Sequence, residues 1–381
     1  MVPERTFGIS ENFKTVGRID VVGGGQVTVE NGYAYVGHMS HPDGTTILNV
    51  SDPRNPRIVS HLTVPPGVHS HKVRVAGDIM LINHERMRNA TESVQGGLKV
   101  FDISDKSKPR EIAFFKTGGT GVHRFDFDGR YAYISPEMEG YQGNIMMILD
   151  LADPERPEEV SRWWVPGQHV AGGETPESEG RRCRCHHPLR LGDRLYVSYW
   201  HAGFMILDIA DLGAPRLLSR MDWSPPYPCP THTALPLPYE IGGRRFLVVT
   251  DEEVSDRLTD KPNAFFWMVD ITDETNPVPV STYQVPDPHP FHHVAEFGAH
   301  QPQEQIYPGV YNHIFFVAWF TGGLRAVDIS DPYRPKEVGF HVPLPGPGQE
   351  IIKTNDVFLA EDGLIYALDR LNGLDILEFT G

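Results

Sequence analysis

Ile148-Leu-Asp-Leu-Ala-Asp153-Pro-Glu-Arg-Pro157 is the stretch that decides the fold, because variants of it recur along the whole chain. The shared pattern is an apolar strand, an Asp, an apolar residue, a small residue, a second Asp and a turn that contains proline. The other copies are Ile47-Leu-Asn-Val-Ser-Asp52-Pro-Arg-Asn-Pro56, Val100-Phe-Asp-Ile-Ser-Asp105, Ile206-Leu-Asp-Ile-Ala-Asp211, Met268-Val-Asp-Ile-Thr-Asp273, Ala326-Val-Asp-Ile-Ser-Asp331-Pro-Tyr-Arg-Pro335 and the shortened Gly373-Leu-Asp-Ile-Leu-Glu-Phe379. They follow one another every roughly 50–60 residues, which is the period of propeller blades with loop insertions.

Each copy also has the same internal order of predicted strands. A first strand ends in a turn at a glycine, a second is rich in aromatic residues, a third carries the Asp phrase and a fourth follows the proline turn. Four short strands separated by turn residues are typical of an antiparallel blade. The sequence therefore predicts an all-β fold, a seven-bladed β-propeller of four-stranded antiparallel blades, as a single domain over residues 1–381.

The last copy lacks a fourth strand, and the N-terminal residues supply a candidate for it. Residues 13–20 look like a fourth strand without a blade of its own. Pairing this segment with the last blade would close the ring and remove an open sheet edge, which would otherwise invite aggregation. We expect residues 13–20 to complete the last blade.

The repeated phrase resembles the LVIVD-repeat family of β-propeller proteins. The resemblance covers nearly the whole chain and implies the propeller fold. It implies little about function, because propellers host enzymes and binding scaffolds alike.

Composition narrows the classes of partner. The 381 residues carry a formal net charge of −16, which argues against binding nucleic acid or an anionic membrane surface. No run is long and apolar enough for a membrane span, and no signal peptide is visible. Three cysteines suit a reducing compartment, so we expect a cytoplasmic protein. Its predicted partner is a small-molecule substrate, and long loops at the propeller mouth leave room for a homo-oligomer.

Histidines recur at the start of the predicted first strand of successive blades. When the blades are aligned, the equivalent positions are His71, His123, His187, His232 and His292, with Gln26 and Asn355 in the first and last blades. Neighbouring positions add His69, His186 and His293. First strands of a closed propeller line the central channel, so these imidazoles are expected to form a ring that binds a divalent transition metal: iron, copper, zinc or manganese. The alternatives are an anion site and histidines copied with the repeat without a function.

Further candidates lie where second strands end, on the same face. Glu137, Glu252 and His201 are the predicted catalytic side chains, since a carboxylate or imidazole there could move a proton or orient a ligand. Arg86, Arg182 and Arg184 are the predicted substrate-binding side chains, because guanidinium groups bind carboxylates and phosphates by paired contacts. The alternative for each is a solvated surface charge.

These features predict a metal-dependent enzyme that acts on a small, anionic molecule in the channel mouth. Oxidoreductase or oxygenase chemistry is favoured by analogy with the carotenoid oxygenases, propellers whose iron is held by histidines alone. A metal-dependent hydrolase or lyase is the first alternative. A binding scaffold without catalytic activity is the second.

Overall fold

The computed structural model describes residues 8–91, 93–176, 183–254, 263–285 and 296–381. They form seven antiparallel sheets, which confirms the predicted seven-bladed β-propeller. The single helical segment among the described residues is a 3-10 turn at Val170–Gly172. None of the helical structure in these ranges is long and apolar enough to cross a bilayer.

Contacts group the chain into two compact units, each with its own set of sheets. The four-sheet unit consists of Thr28–Asn49 and Ile58–Trp223. The three-sheet unit consists of Ser224–Gly381, Val50–Arg57 and the N-terminal part up to Val27. The single domain over residues 1–381 therefore stays a prediction.

The first four sheets belong to the four-sheet unit, apart from residues 24–27 of β3 and Arg57 of β6, which fall in the other unit. Sheet 1 comprises β3 (Gly24–Glu30), β4 (Tyr33–His38), β5 (Asp43–Asn49) and β6 (Arg57–Thr63). Sheet 2 comprises β7 (Val68–His69), β8 (Val73–Ala76), β9 (Ile79–Arg86), β10 (Gly97–Asp102) and β11 (Arg110–Lys116). Sheet 3 comprises β12 (Val122–Phe127), β13 (Tyr131–Pro136), β14 (Met146–Asp150) and β15 (Glu158–Trp163). Sheet 4 comprises β16 (Arg184–Leu191), β17 (Arg194–Trp200), β18 (Gly203–Asp208) and β19 (Arg216–Met221).

The last three sheets belong to the three-sheet unit. Sheet 5 comprises β20 (Thr231–Pro236), β21 (Phe246–Asp251), β22 (Phe266–Asp270) and β23 (Val278–Tyr283). Sheet 6 comprises β24 (Ile314–Ala318), β25 (Leu324–Asp328), β26 (Lys336–Val342) and the added edge strand β1 (Ile9–Glu11). Sheet 7 comprises β27 (Thr354–Leu359), β28 (Ile365–Asp369), β29 (Gly373–Phe379) and β2 (Phe13–Ile19).

The N-terminal strand completes the last sheet as predicted. β2 pairs antiparallel with β29, from Phe13 opposite Phe379 to Ile19 opposite Leu374. The sequence did not reveal β1, which pairs Ile9–Glu11 with the outer edge of sheet 6.

Apolar side chains fill the space between neighbouring sheets of one unit. Between sheets 2 and 3, for example, Leu81 and Val100 pack with Phe125, Ile134 and Met147, all of them buried. A comparable buried cluster joins sheets 6 and 7 through Phe316, Leu377 and their neighbours. Because the strands alternate between two buried faces, they show the nearly continuous apolar runs seen in the repeats.

The Asp residues of the repeat have a local structural role. The first Asp of a copy accepts the backbone N–H two residues on, as Asp150 does from Ala152 at 2.7 Å. The second Asp repeats the contact, as Asp153 does from the N–H of Glu155, and its own carbonyl accepts the N–H of Arg156. Equivalent carboxylate–amide contacts occur at Asp52, Asp102, Asp105, Asp208, Asp211, Asp270, Asp273, Asp328 and Asp331. Two consecutive side-chain-capped turns therefore connect the third strand to the fourth.

Candidate functional site

The innermost strands are irregular at one equivalent place, and this irregularity presents the histidines. In sheets 4, 5 and 7 a β-bulge inserts one extra residue, which is His186, His232 and Asn355 respectively. In sheet 3 the bulge between Val122 and Phe125 contains His123. A bulge redirects a side chain out of the regular alternation of a strand.

In sheet 2 the inner strand is interrupted instead of bulged, and a histidine lies in the interruption. His71 lies between β7 and β8. The side chain of Asn83, on β9, stabilises the conformation of this segment by hydrogen bonds. The Asn83 amide oxygen accepts the Lys72 N–H at 2.8 Å, while its nitrogen donates to the carbonyls of His69 and Val122, both at 3.2 Å. The same nitrogen lies 3.3 Å from Nδ1 of His71.

In sheet 4 the observed register differs by one residue from the predicted one. His186 occupies the bulge, whereas His187 is the next, buried residue, whose N–H donates to Ser198 Oγ at 3.1 Å. Burial, together with Arg124 and Arg74, lowers the pKa of His187 well below its usual range. A usable signal existed in the sequence, because His71, His123 and His186 all stand six residues before a turn glycine, namely Gly77, Gly129 and Gly192.

His292, predicted for the sixth blade, lies outside the described residues, as does Arg182. The innermost segment of sheet 6 is formed by residues 300–303. His300 N donates to Ala318 O, and Gln303 N donates to Phe316 O. Among the described residues, His300 is thus the histidine at the inner edge of sheet 6. The sequence around His300 contains no repeat phrase that could have been aligned.

Three potential ligands meet in the four-sheet unit. One side-chain donor atom each from His69, His71 and Glu85 lies within 4.8 Å of the other two. The rings of His69 and His71 are 3.8 Å apart between centroids. His69 Nδ1 lies 2.5 Å from the Met39 carbonyl oxygen, so this nitrogen carries the proton and Nε2 keeps its lone pair. This is the outer contact that fixes the orientation of a ligating imidazole.

Glu85 contacts His123, and His123 contacts His186. Glu85 Oε2 lies 2.8 Å from His123 Nδ1, and His123 Nε2 lies 3.1 Å from His186 Nε2. With Glu85 as the acceptor, His123 carries its proton on Nδ1 and its Nε2 accepts. His186 then donates from Nε2. The three side chains form one continuous chain of hydrogen bonds.

The electrostatic surroundings keep the imidazoles neutral. Burial, followed by the neighbouring His69, holds the pKa of His71 well below its usual range. Burial and then Arg184 do the same for His123. Burial raises the pKa of the Glu85 carboxyl, an effect that His69 and Arg184 oppose. Neutral imidazoles are the form that binds metal ions.

Arg184 and Trp200, both in sheet 4, lie beside the histidines His123 and His186. The Arg184 guanidinium lies over the Trp200 ring, 4.1 Å from its centroid. The Trp200 ring also stacks with the His186 ring, at 5.6 Å between centroids and 22° between planes. Arg184 is the predicted substrate-binding arginine that the structure brings to the histidines.

Comparison with known sequences identifies the repeat. The sequence model described as LVIVD repeat matches residues 24–64, 93–117, 191–222 and 310–341. The chain carries LVIVD repeats. Each of the four matched segments contains Asp turns described above. No protein of curated function matches the sequence of this LVIVD-repeat propeller.

Solved structures share its fold at low sequence identity. The Pseudomonas aeruginosa periplasmic gluconolactonase PpgL has a TM-score of 0.59 at 11% identity, over 98% of this chain and 97% of that one. A chain of the Saccharomyces cerevisiae complex of Dbp5 with Nup159 and Gle1 gives 0.58 at 12%, over 99% and 97%. Saccharomyces cerevisiae Sqt1 gives 0.55 at 8%, over 96% and 87%. These likenesses concern the fold alone.

The three-sheet unit of the LVIVD-repeat propeller carries a second histidine group. The rings of His232 and His300 are 4.2 Å apart between centroids. His300 Nδ1 lies 2.5 Å from the Asn355 carbonyl oxygen, and its Nε2 lies 3.7 Å from Glu252 Oε1. Glu252 thus lies beside an imidazole, and its role as a proton-transfer or orienting group stays a prediction.

The donor atoms of the other described candidates are not among the three that converge at His69, His71 and Glu85. Glu137 accepts the N–H of Thr120 at 2.7 Å and pairs with Arg88 at 3.4 Å, so it stabilises a loop. Arg86 ends β9, and its N–H donates to Thr120 O. His201, in the left-handed region with a φ of 52°, lines a separate cavity of about 210 Å³ together with Arg220.

Proposed function

We propose that the four-sheet unit binds one divalent transition metal through His69, His71 and Glu85 and that the protein is a metal-dependent enzyme. The observation that carries this proposal is the convergence of the three donor atoms within 4.8 Å of one another. Two imidazoles and one carboxylate leave coordination positions open for substrate, which is the arrangement of catalytic rather than structural sites.

In this proposal His123 and His186 are not metal ligands. His123 contacts the Glu85 carboxylate, and His186 contacts His123. The 2.8 Å contact from His123 Nδ1 orients Glu85 toward the ion. The Nε2 atom of His123 lies 3.1 Å from His186 Nε2, and a proton can be taken up or released there. His123 is therefore a positioning residue that also connects the site to a proton carrier.

Oxidation of a small molecule is the reaction we favour. Two histidines and one carboxylate with open positions are the ligand set of non-haem iron(II) oxygenases, and a bound iron would supply redox chemistry. Arg184, whose positive charge acts on both Glu85 and His123, supports an anionic substrate. The net charge of −16 supports a small molecule over nucleic acid or a membrane surface. A cytoplasmic location and a homo-oligomer stay predictions.

A hydrolase is the second candidate, because two histidines and one glutamate are also the ligands of zinc hydrolases. In that case the ion would lower the pKa of a bound water to ~7, and His123 with His186 would accept the proton. The fold shared with a gluconolactonase is compatible with either reaction.

Metal analysis of protein purified without a histidine tag tests the proposal. We expect stoichiometric metal in the wild type and a large loss in each of His69→Ala, His71→Ala and Glu85→Gln. The matched control is His61→Ala, an exposed histidine of the same unit, which should keep its metal. Iron or copper would support oxidation and zinc would support hydrolysis. A wild type that neither contains nor takes up a metal would contradict both candidates.

A further inference from the structure

The three-sheet unit contains a pair of cations held close together, which the metal proposal does not use. Arg370 follows β28, and Lys353 precedes β27. The backbone N–H of Arg370 donates to the backbone carbonyl of Lys353 at 2.9 Å, which fixes the two residues side by side. Their charged groups lie over the same aromatic ring, that of Phe320, at 5.3 and 5.4 Å from its centroid.

The two cations differ in what neutralises them. Lys353 Nζ forms an ion pair with Glu296 at 2.5 Å. Arg370 donates from Nε to the side-chain oxygen of Asn355 at 2.5 Å, which is a neutral acceptor. Across the described ranges, no carboxylate lies within ion-pair distance of the Arg370 guanidinium. Its two terminal nitrogens are therefore available as a forked pair of donors.

The Asn355 amide holds the guanidinium in one orientation. Its nitrogen donates to the Gly25 carbonyl, so its oxygen is directed at Arg370 Nε. Asn355 is the extra residue of the sheet 7 bulge, and its carbonyl also contacts His300. The arginine is thus presented by the same irregularity that presents histidines in other sheets.

We infer that Arg370 and Lys353 form a binding site for a small carboxylate. A planar guanidinium with two free donors matches a carboxylate in bidentate geometry, and the ammonium adds a third contact. Two adjacent cations in a partly enclosed place repel each other, and a bound anion relieves that repulsion. Arg370 is only partly exposed, and 17% of the Lys353 side chain is accessible.

The ionisation behaviour of the pair agrees with this geometry. Burial lowers the pKa of Arg370, while Glu252 and Glu296 oppose the effect from farther away. Burial and then Arg370 lower the pKa of Lys353. Each cation is therefore less stable than in water, so each gains from an anionic ligand.

Calorimetric titration of metal-stripped protein at low ionic strength tests the site independently of the metal. The probes are acetate, oxalate, malonate, succinate and inorganic phosphate. We expect saturable binding of at least one carboxylate at one site per chain, weakened at least tenfold in Arg370→Gln and Lys353→Met. Arg334→Gln, which removes an exposed arginine of the same unit, should bind like the wild type.

The remaining outcomes are also decisive. Arg370→Lys keeps the charge but loses the forked donors, so it should bind more weakly, and it replaces Arg370→Gln if that variant fails to fold by circular dichroism. Wild-type affinity in Arg370→Lys and Arg370→Gln would overturn the site. Binding of phosphate without any carboxylate would overturn the ligand class, and the absence of binding by every probe would overturn both.

Discussion

His123 faces two partners at once: its Nδ1 lies 2.8 Å from Glu85, and its Nε2 lies 3.1 Å from His186. With an ionised Glu85 as the acceptor, this relationship places one proton on His123 Nδ1 and one on His186 Nε2. It also separates residues that would contact a metal from residues that would orient a ligand, and that separation can be measured.

Replacing His123 by Ala should weaken metal binding without abolishing it. Loss of a side chain that orients a ligand typically costs ~10–100-fold in metal affinity, whereas loss of a ligand costs more. Competition with a chelator should therefore order the affinities as wild type, His123→Ala and then His71→Ala. Equal affinities of the two variants would show that His123 is itself a ligand, and an unchanged His123→Ala variant would remove it from the site.

The proton positions of the chain can be read from imidazole nitrogen shifts by NMR. In metal-free protein at pH 7 we expect His123 to be protonated on Nδ1 and His186 on Nε2. His186→Ala should change the ring signals of His123, because the acceptor loses its donor. His187→Ala, one residue along and outside the bulge, should leave them nearly unchanged. The reverse pattern would restore the register predicted from sequence.

Asp369 should make the stability of the protein depend on pH in the range where most carboxyl groups are already ionised. Burial raises its pKa from 3.8 to about 6, although it accepts the N–H groups of Lys353 and Leu371. A carboxyl group with a raised folded-state pKa stabilises the fold below pH ~4, and this contribution is lost as the pH rises through about 6. The free energy of unfolding should fall by about 3 kcal/mol across that interval.

Denaturant unfolding of wild type and Asp369→Asn at several pH values checks this expectation. The variant should lack the loss of stability between pH ~4 and about 6. Glu361→Gln, at an exposed position between β27 and β28, should keep it. Identical profiles for wild type and Asp369→Asn would contradict the raised pKa.

Removing residues 1–20 should expose the edge of β29. Without β2, the strand from Gly373 to Phe379 keeps β28 but loses its outer partner, and that edge presents unpaired N–H and C=O groups. We expect a melting temperature lower by ~5 °C or more and self-association in size-exclusion chromatography. Removing residues 1–7 leaves β1 and β2 intact and is the control. A monomeric truncated protein with unchanged melting temperature would show that β2 is dispensable.

The fold was predictable because its signal is repeated and local. Five of the seven copies contain both Asp residues whose carboxylates cap two consecutive turns, so one misread copy does not change the assignment. The pairing of β2 with β29 was also predictable, since one incomplete copy and one spare strand must match. β1 was not, because three residues at a sheet edge have no pattern of their own.

The site was predictable in its residue type but not in its register. His71 and His123 were correctly placed at the inner strands, whereas the bulge in sheet 4 brought His186 to the position expected for His187. A one-residue insertion reverses the direction of a side chain, and in sheet 4 the spacing of six residues between His186 and the turn glycine Gly192 was the local sign of it. Glu85 was not among the predicted metal ligands, because it lies near the end of a second strand and approaches the histidines only through tertiary packing; its role as a ligand stays a proposal.

The pairing of β2 with β29 also constrains how the protein is made. Lys14 and Glu378, which form an ion pair across these strands, are separated by 364 positions in the chain. On the ribosome β2 stays unpaired until the residues of β29 have been synthesised. Chaperones that shield such a segment during translation should therefore raise the yield of correctly closed molecules.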